Sequence, residues 1–248
     1  MATGLLYYSM KMRQHSVEMT TKEINGRTAK YEGHIFEHKV ADAYGGYVDG
    51  GSRTKVDIRS KPYNISVKNP SGKNTQIWLV TQERFIDALD IDDYLSSFVH
   101  QFFGGDRYSH CDRHRKTWSS IDKDLREAFL NCLNARSDEL FKLIFTHGYQ
   151  MNGSVDVLAW ATEKNNVDSV IFLDLDKVKE DFRRGIWTAN PTTLEFRIDG
   201  EKLLHVQMKG SGPRYSNHYH AVQFHVHGNF KREWYCQMDQ KVLYYSHV

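Results

Sequence analysis

Cysteine, proline and long apolar runs are scarce in this chain of 248 residues, and each scarcity excludes something. Three cysteines, Cys111, Cys132 and Cys236, are too few and too scattered for a disulfide framework. That usage points to a reducing, cytoplasmic-type compartment. No run approaches the ~18 apolar residues that a spanning helix needs, so no membrane segment is expected. The stretch MATGLLYYSMKMRQHS lacks a basic region followed by a long apolar one, so no signal peptide is expected either. Only four prolines interrupt the chain, and it has no internal repeat, low-complexity tract or Gly/Ser linker. It therefore reads as a single domain over 1–248. A net charge of +2 is too small to declare a nucleic-acid binder by itself, although basic residues cluster at RHRK, 113–116.

Periodicity supplies the elements. AKYEGHIFEHKVADAYG, 29–45, reads as a helix with an apolar stripe of Tyr31, Ile35, Phe36, Val40, Ala43 and Tyr44, stopped by Gly45-Gly46. Two strands follow at 54–58 and 63–68, joined around Pro62. In the second, Tyr63, Ile65 and Val67 share one face and Asn64, Ser66 and Lys68 the other. Residues 76–103 read as largely helical, with further helices near 119–133 and 136–145. SVDVLAW and DSVIFLDL read as buried strands and KVKEDFRRGIW as a short helix. A hairpin over TLEFRIDGEKLLHVQMK is signalled by Asp199-Gly200, and HAVQFHVH is a last strand of strict alternation. Residues 1–20 read as irregular. The expected class is α/β or α+β, a central mixed sheet flanked by helices.

The second strand ends on a lysine, with Asp57 on the strand before it. In an antiparallel hairpin turning at Pro62, Asp57 and Lys68 sit roughly opposite, with Cβ atoms about 5 Å apart. Such a pair is often a surface ion pair worth little. It is also what phosphodiester hydrolysis requires. A hard cation takes carboxylate and carbonyl oxygens, and a lysine beside the attacking water orients or deprotonates it. Ser66 shares the face of Lys68, the Val67 carbonyl lies between them, and Glu37 lies on the edge of the helical stripe.

Three segments resemble the PD-(D/E)xK nuclease superfamily, and most closely its small type II restriction endonucleases that cut tetranucleotide sites. GHIFEHKVADAY, 33–44, is similar to the family's glutamate-bearing helix. VDI, 56–58, with ISVKNPSGKNTQIW, 65–78, is similar to its catalytic hairpin and the DNA-facing loop after it. LHVQMKGSGPRYSNHYHAVQFHV, 204–226, is similar to its recognition hairpin. The resemblance implies a restriction-endonuclease-like fold, with a catalytic hairpin at 54–68 and a recognition hairpin at 194–227. It further implies Mg²⁺-dependent cleavage of double-stranded DNA to 5′-phosphates in a prokaryotic or viral restriction system. By position, Asp57 binds metal with Glu37 and the Val67 carbonyl, and Lys68 handles the attacking water. The chain departs from the pattern at Ser66, where Asp or Glu is expected and a hydroxyl reaches metal only through water. A symmetric site implies a homodimer, formed on DNA if not before.

Expected DNA contacts are Lys73 for phosphate and Asn74 and Gln76 for base edges, followed by Gln207, Lys209, Arg214, Asn217, His218 and Tyr219. His110, Cys111 and His114 lack a partner pair at zinc spacing and read as part of a solvated basic loop; Cys132 and Cys236 read as core or surface thiols. Two other readings stand beside the nuclease. Gly212, five residues, then His218-x-His220 opens like a cupin metal motif, an oxygenase or isomerase site. The expected glutamate is absent there, although His205, His225 and His227 could substitute. The other is a DNA-binding protein that lost catalysis, with Ser66 as the mark.

Overall fold

A computed structural model describes residues 21–49, 55–70, 72, 74–103, 117–148, 153–208 and 221–238. The class is mixed α and β, with two five-stranded sheets rather than a lone central one. The first holds β1 (Tyr47–Val48), β2 (Ile58–Arg59), β3 (Asn64–Lys68), β5 (Val157–Ala161) and β6 (Val170–Asp174), in the order β1-β2-β3-β5-β6. It is mixed because β3 and β5 run parallel. The second is wholly antiparallel in the order β4-β10-β9-β8-β7. Its strands are β4 (Asn74–Thr81), β7 (Ile186–Ala189), β8 (Leu194–Ile198), β9 (Glu201–Met208) and β10 (Ala221–His227).

The first sheet is buried on both faces, and the strand sequences show why. Every residue of β5, VLAWA, is buried, as a central strand between two apolar layers demands. One layer is the helix Thr21–Tyr44, whose Phe36, Val40 and Ala41 pack on Ile58, Ile65, Val67, Val157 and Ala159. The other joins Leu158 and Trp160 to the larger core, which holds the inner face of the second sheet and the helices covering it. The helical stripe is narrower than expected: Tyr31 and Ile35 are exposed. Both lie roughly 100° or more around the helix from Phe36 and Val40, outside the arc that faces the sheet.

Two expected helical stretches are strands. Residues 76–81 belong to β4, because TQIWLVT is dominated by β-branched and aromatic side chains. The helix starts only at Gln82, where the Thr81 hydroxyl caps it by accepting the Arg84 N–H at 3.3 Å. Ile186 and Trp187, placed at the end of a helix by their spacing, instead open β7; that helix stops at Phe182. At Gly185 a Cβ would lie 2.1 Å from the Phe196 ring, so only glycine lets the chain pass this close.

The alternation in β10 was legible, and its outward side chains gather three histidines. His205 Nδ1 and His227 Nε2 are 2.8 Å apart, and the His205 and His225 rings stack at 4.7 Å. Burial, followed by the charges of His225, His227 and Lys202, pushes the His205 pKa down to about 4, with Glu195 opposing. Burial pushes His225 and His227 down as well. The unfolded imidazole takes its proton near 6.5 while the native one refuses it until about 4. Stability is therefore expected to hold above 6.5 and to be lost as pH falls across that window, by on the order of 2 kcal/mol for this half-buried group. Urea midpoints at about pH 7 and about pH 4.5 check this, and His205→Asn is expected to flatten the difference.

Candidate active site at the strand ends of the first sheet

Asp57 stands just before β2, where Ile58 pairs with Ile65. That register puts Asp57 across from Ser66, not from Lys68. The lysine lies two residues further along β3 on the same face and reaches back. Three groups converge on one carboxylate oxygen, Asp57 Oδ2. The Val67 N–H donates at 2.6 Å, the Ser66 hydroxyl at 2.9 Å and the Lys68 ammonium at 3.3 Å. Lys68 Nζ also donates to the Val67 carbonyl at 2.9 Å. Side chains of Asp57 and Lys68 are 22% and 18% exposed, so both are held in place yet reachable from solvent. Ser66 is buried at 1% exposure, with its hydroxyl spent on the aspartate.

Glu37 comes from the long helix, with His34 Nδ1 3.0 Å from its Oε2. Its pKa is raised, first by burial and then by the negative charge of Asp57, with His34 and Lys68 opposing. The two carboxylates are thus close enough to repel each other. Glu37, Asp57 and the Val67 carbonyl carry oxygen donors of the kind a hard divalent cation takes, and such a cation would relieve this repulsion.

Sequence reasoning missed Lys55, two residues before Asp57 and 4% exposed. Its ammonium nitrogen lies 4.5 Å from the centroid of the Trp78 ring and has no hydrogen-bond partner among the described residues. Burial, reinforced by the charge of Lys68, drives its pKa well down, and Asp57 opposes this. The available signal was the alternation Lys55-Val56-Asp57, which puts the lysine on the aspartate's side of the chain.

No family model matches this chain, and no curated protein does. In fold it is similar to the restriction endonuclease MspI. That enzyme was solved in complex with its cognate DNA; the TM-score is 0.40 and the identity 14%. The match covers 73% of this chain and 66% of that one, so the chain spans less than two thirds of its neighbour's length. The likeness is one of fold alone.

The expected DNA-contacting residues divide in two. Gln76 on β4 and Gln207 on β9 lie on the same face of the second sheet, and Asn74 begins β4 opposite His227. Lys73, Lys209, Arg214, Asn217, His218 and Tyr219 lie outside the described residues, as do residues 1–20, His110, Cys111 and His114. The cupin pair His218 and His220 lies outside them too. Its possible substitutes, His205, His225 and His227, bond and stack with one another. Among the described residues no group of three His, Cys, Asp or Glu side chains is arranged to hold a metal ion. Cys132 and Cys236 are half-buried free thiols whose pKa values burial raises. No helix among the described residues is long and apolar enough to cross a membrane.

Proposed function

We propose that the chain is a Mg²⁺-dependent type II restriction endonuclease that hydrolyses phosphodiester bonds of double-stranded DNA at a short specific site, leaving 5′-phosphates. The observation that carries this reading is the convergence of Ser66, Val67 and Lys68 on the Asp57 carboxylate, whose charge is felt by the Glu37 carboxylate. A surface ion pair has no use for a buried serine, a backbone N–H and a second carboxylate. A site that must hold a carboxylate rigidly against a cation needs such support.

Asp57, Glu37 and the Val67 carbonyl would hold the metal, which when bound supplies positive charge to the scissile phosphate. Lys68 is anchored at its ammonium by Asp57 and by the Val67 carbonyl, leaving an N–H direction for the attacking water, which it orients. Ser66 acts by fixing the aspartate rather than by ligating metal, which accounts for a hydroxyl where the resembled family carries an acid or amide. Residues 1–248 act as one endonuclease domain, and a symmetric site brings two such domains together on DNA. With Mg²⁺, purified protein is expected to convert plasmid to discrete fragments, and with EDTA to leave it intact. Plasmid untouched at every Mg²⁺ concentration, or cut equally in EDTA, would sink the reading.

A further inference from the structure

The second sheet carries a row of polar groups, uncharged except at one end, that the site above does not use. Strand register aligns Gln76, His225, His205, Glu195 and Thr188 across all five strands, with Gln223 beside Gln207 in the next row. A bulge in β4 makes this possible. The register shifts between Phe224, opposite Trp78, and His225, opposite Gln76, so Ile77 is passed over. Gln76 thereby joins the polar face while Trp78 stays on the core side. The row holds together by its own bonds: the Gln223 amide donates to the Gln76 carbonyl, and the Gln207 amide lies 3.4 Å from His225 Nε2. At the far end Glu195 is neutralised by Lys202 at 3.0 Å and Arg197 at 2.7 Å.

The chemistry of this face selects its partner. Uncharged amides and imidazoles offer little to a phosphate, whose contacts are made by Lys and Arg, but each presents a donor or an acceptor to a base edge. After that bond the Gln223 amide keeps one N–H and its carbonyl, a pair complementary to the N7 acceptor and N6 donor of adenine, and the Gln76 amide keeps both of its N–H groups. From Gln76 to His205 is two strand spacings, about 10 Å, within a major groove about 12 Å wide. The chain from Lys68 to Gln76 runs eight residues, at most about 28 Å, which is less than one turn of duplex. The two places are thus close enough for one duplex to reach both.

We propose that this face reads base edges in the major groove of duplex DNA. Gln223 and His225 set specificity there, together with Gln76 and Gln207, and adenine is among the bases read. The inference rests on the nuclease reading and is tested apart from it. In an Asp57→Asn background, bound duplexes are selected from a randomised pool and sequenced. Adding Gln223→Ala and His225→Ala is expected to lower preference for the selected site by roughly ten-fold or more per lost contact, with affinity for arbitrary duplex changed less than about three-fold. Gln223→Glu, the same size, keeps the fold if the double variant does not, and is expected to move preference from adenine toward cytosine, whose N4 donates. An unchanged selected sequence, in protein that still binds and whose Asp57 parent still cuts, overturns the assignment of this face and leaves the nuclease intact. Failure of the parent both to bind and to cut any duplex overturns both.

Discussion

Lys68→Met and Asp57→Asn are each expected to lower the single-turnover rate of DNA cleavage by roughly 10²- to 10⁴-fold. Methionine keeps the apolar stem of Lys68 and deletes the ammonium that bridges Asp57 and the Val67 carbonyl. Asparagine keeps a carbonyl oxygen to accept from the Val67 N–H and the Ser66 hydroxyl, and deletes the charge that would hold a cation. Asp57→Ala is a poorer probe, because it strips the acceptor from both donors and costs about 1–3 kcal/mol of stability besides. A quenched time course on a plasmid with mapped cut sites measures the rate, and a thermal melt shows that the fold is kept. Full activity in either variant removes that residue from the mechanism.

Phe98→Ala is expected to destabilise the protein by about 3–5 kcal/mol, the largest single effect on stability named here. Phe98 is fully buried and stacks on Phe129 at 4.1 Å and on Phe102 at 5.2 Å, and meets the Trp118 ring edge-on at 5.6 Å. Those partners come from the helices Asp93–Phe103 and Lys123–Ala135 and from the turn at Trp118–Ser120, so one ring ties three segments together. Rigid rings on several sides cannot collapse into the space, which places the cost at the upper end for a core truncation. Four residues earlier on the same helix, Tyr94 is 55% exposed, and Tyr94→Ala is expected to stay within about 0.5 kcal/mol. Denaturant midpoints separate the two. A loss below about 1 kcal/mol for Phe98→Ala would mean that the aromatic cluster is not packed as described.

Strand alternation made much of the site legible. Ser66 and Lys68 share a face because a strand repeats every two residues, and the apolar Ile65 and Val67 assign the other face to the core. What alternation lacks is register. Asp57 meets Ser66 because Ile58 pairs with Ile65, and that pairing depends on where the hairpin turns, not on the composition of either strand. Residues 76–81 read as helical yet form a strand for a related reason: a short apolar run carries no clear period, and pairing with β10 settles it as a strand. Lys55 escaped because a lysine in sequence implies solvent, and nothing local announces that the Trp78 ring will cover it.

By itself the sequence determined the mixed α and β class, the inner face of β3 and the alternation of β10, because these follow from local periods of two and 3.6 residues, and the turn at Pro62 added the nearness of an aspartate to a lysine. Only the tertiary structure decided that Ser66 serves Asp57, that the charge of Asp57 reaches Glu37, and that a bulge aligns Gln76 with the histidines of β9 and β10. Each of those joins residues whose contact is set by pairing and packing across the fold, and no local pattern encodes such distances.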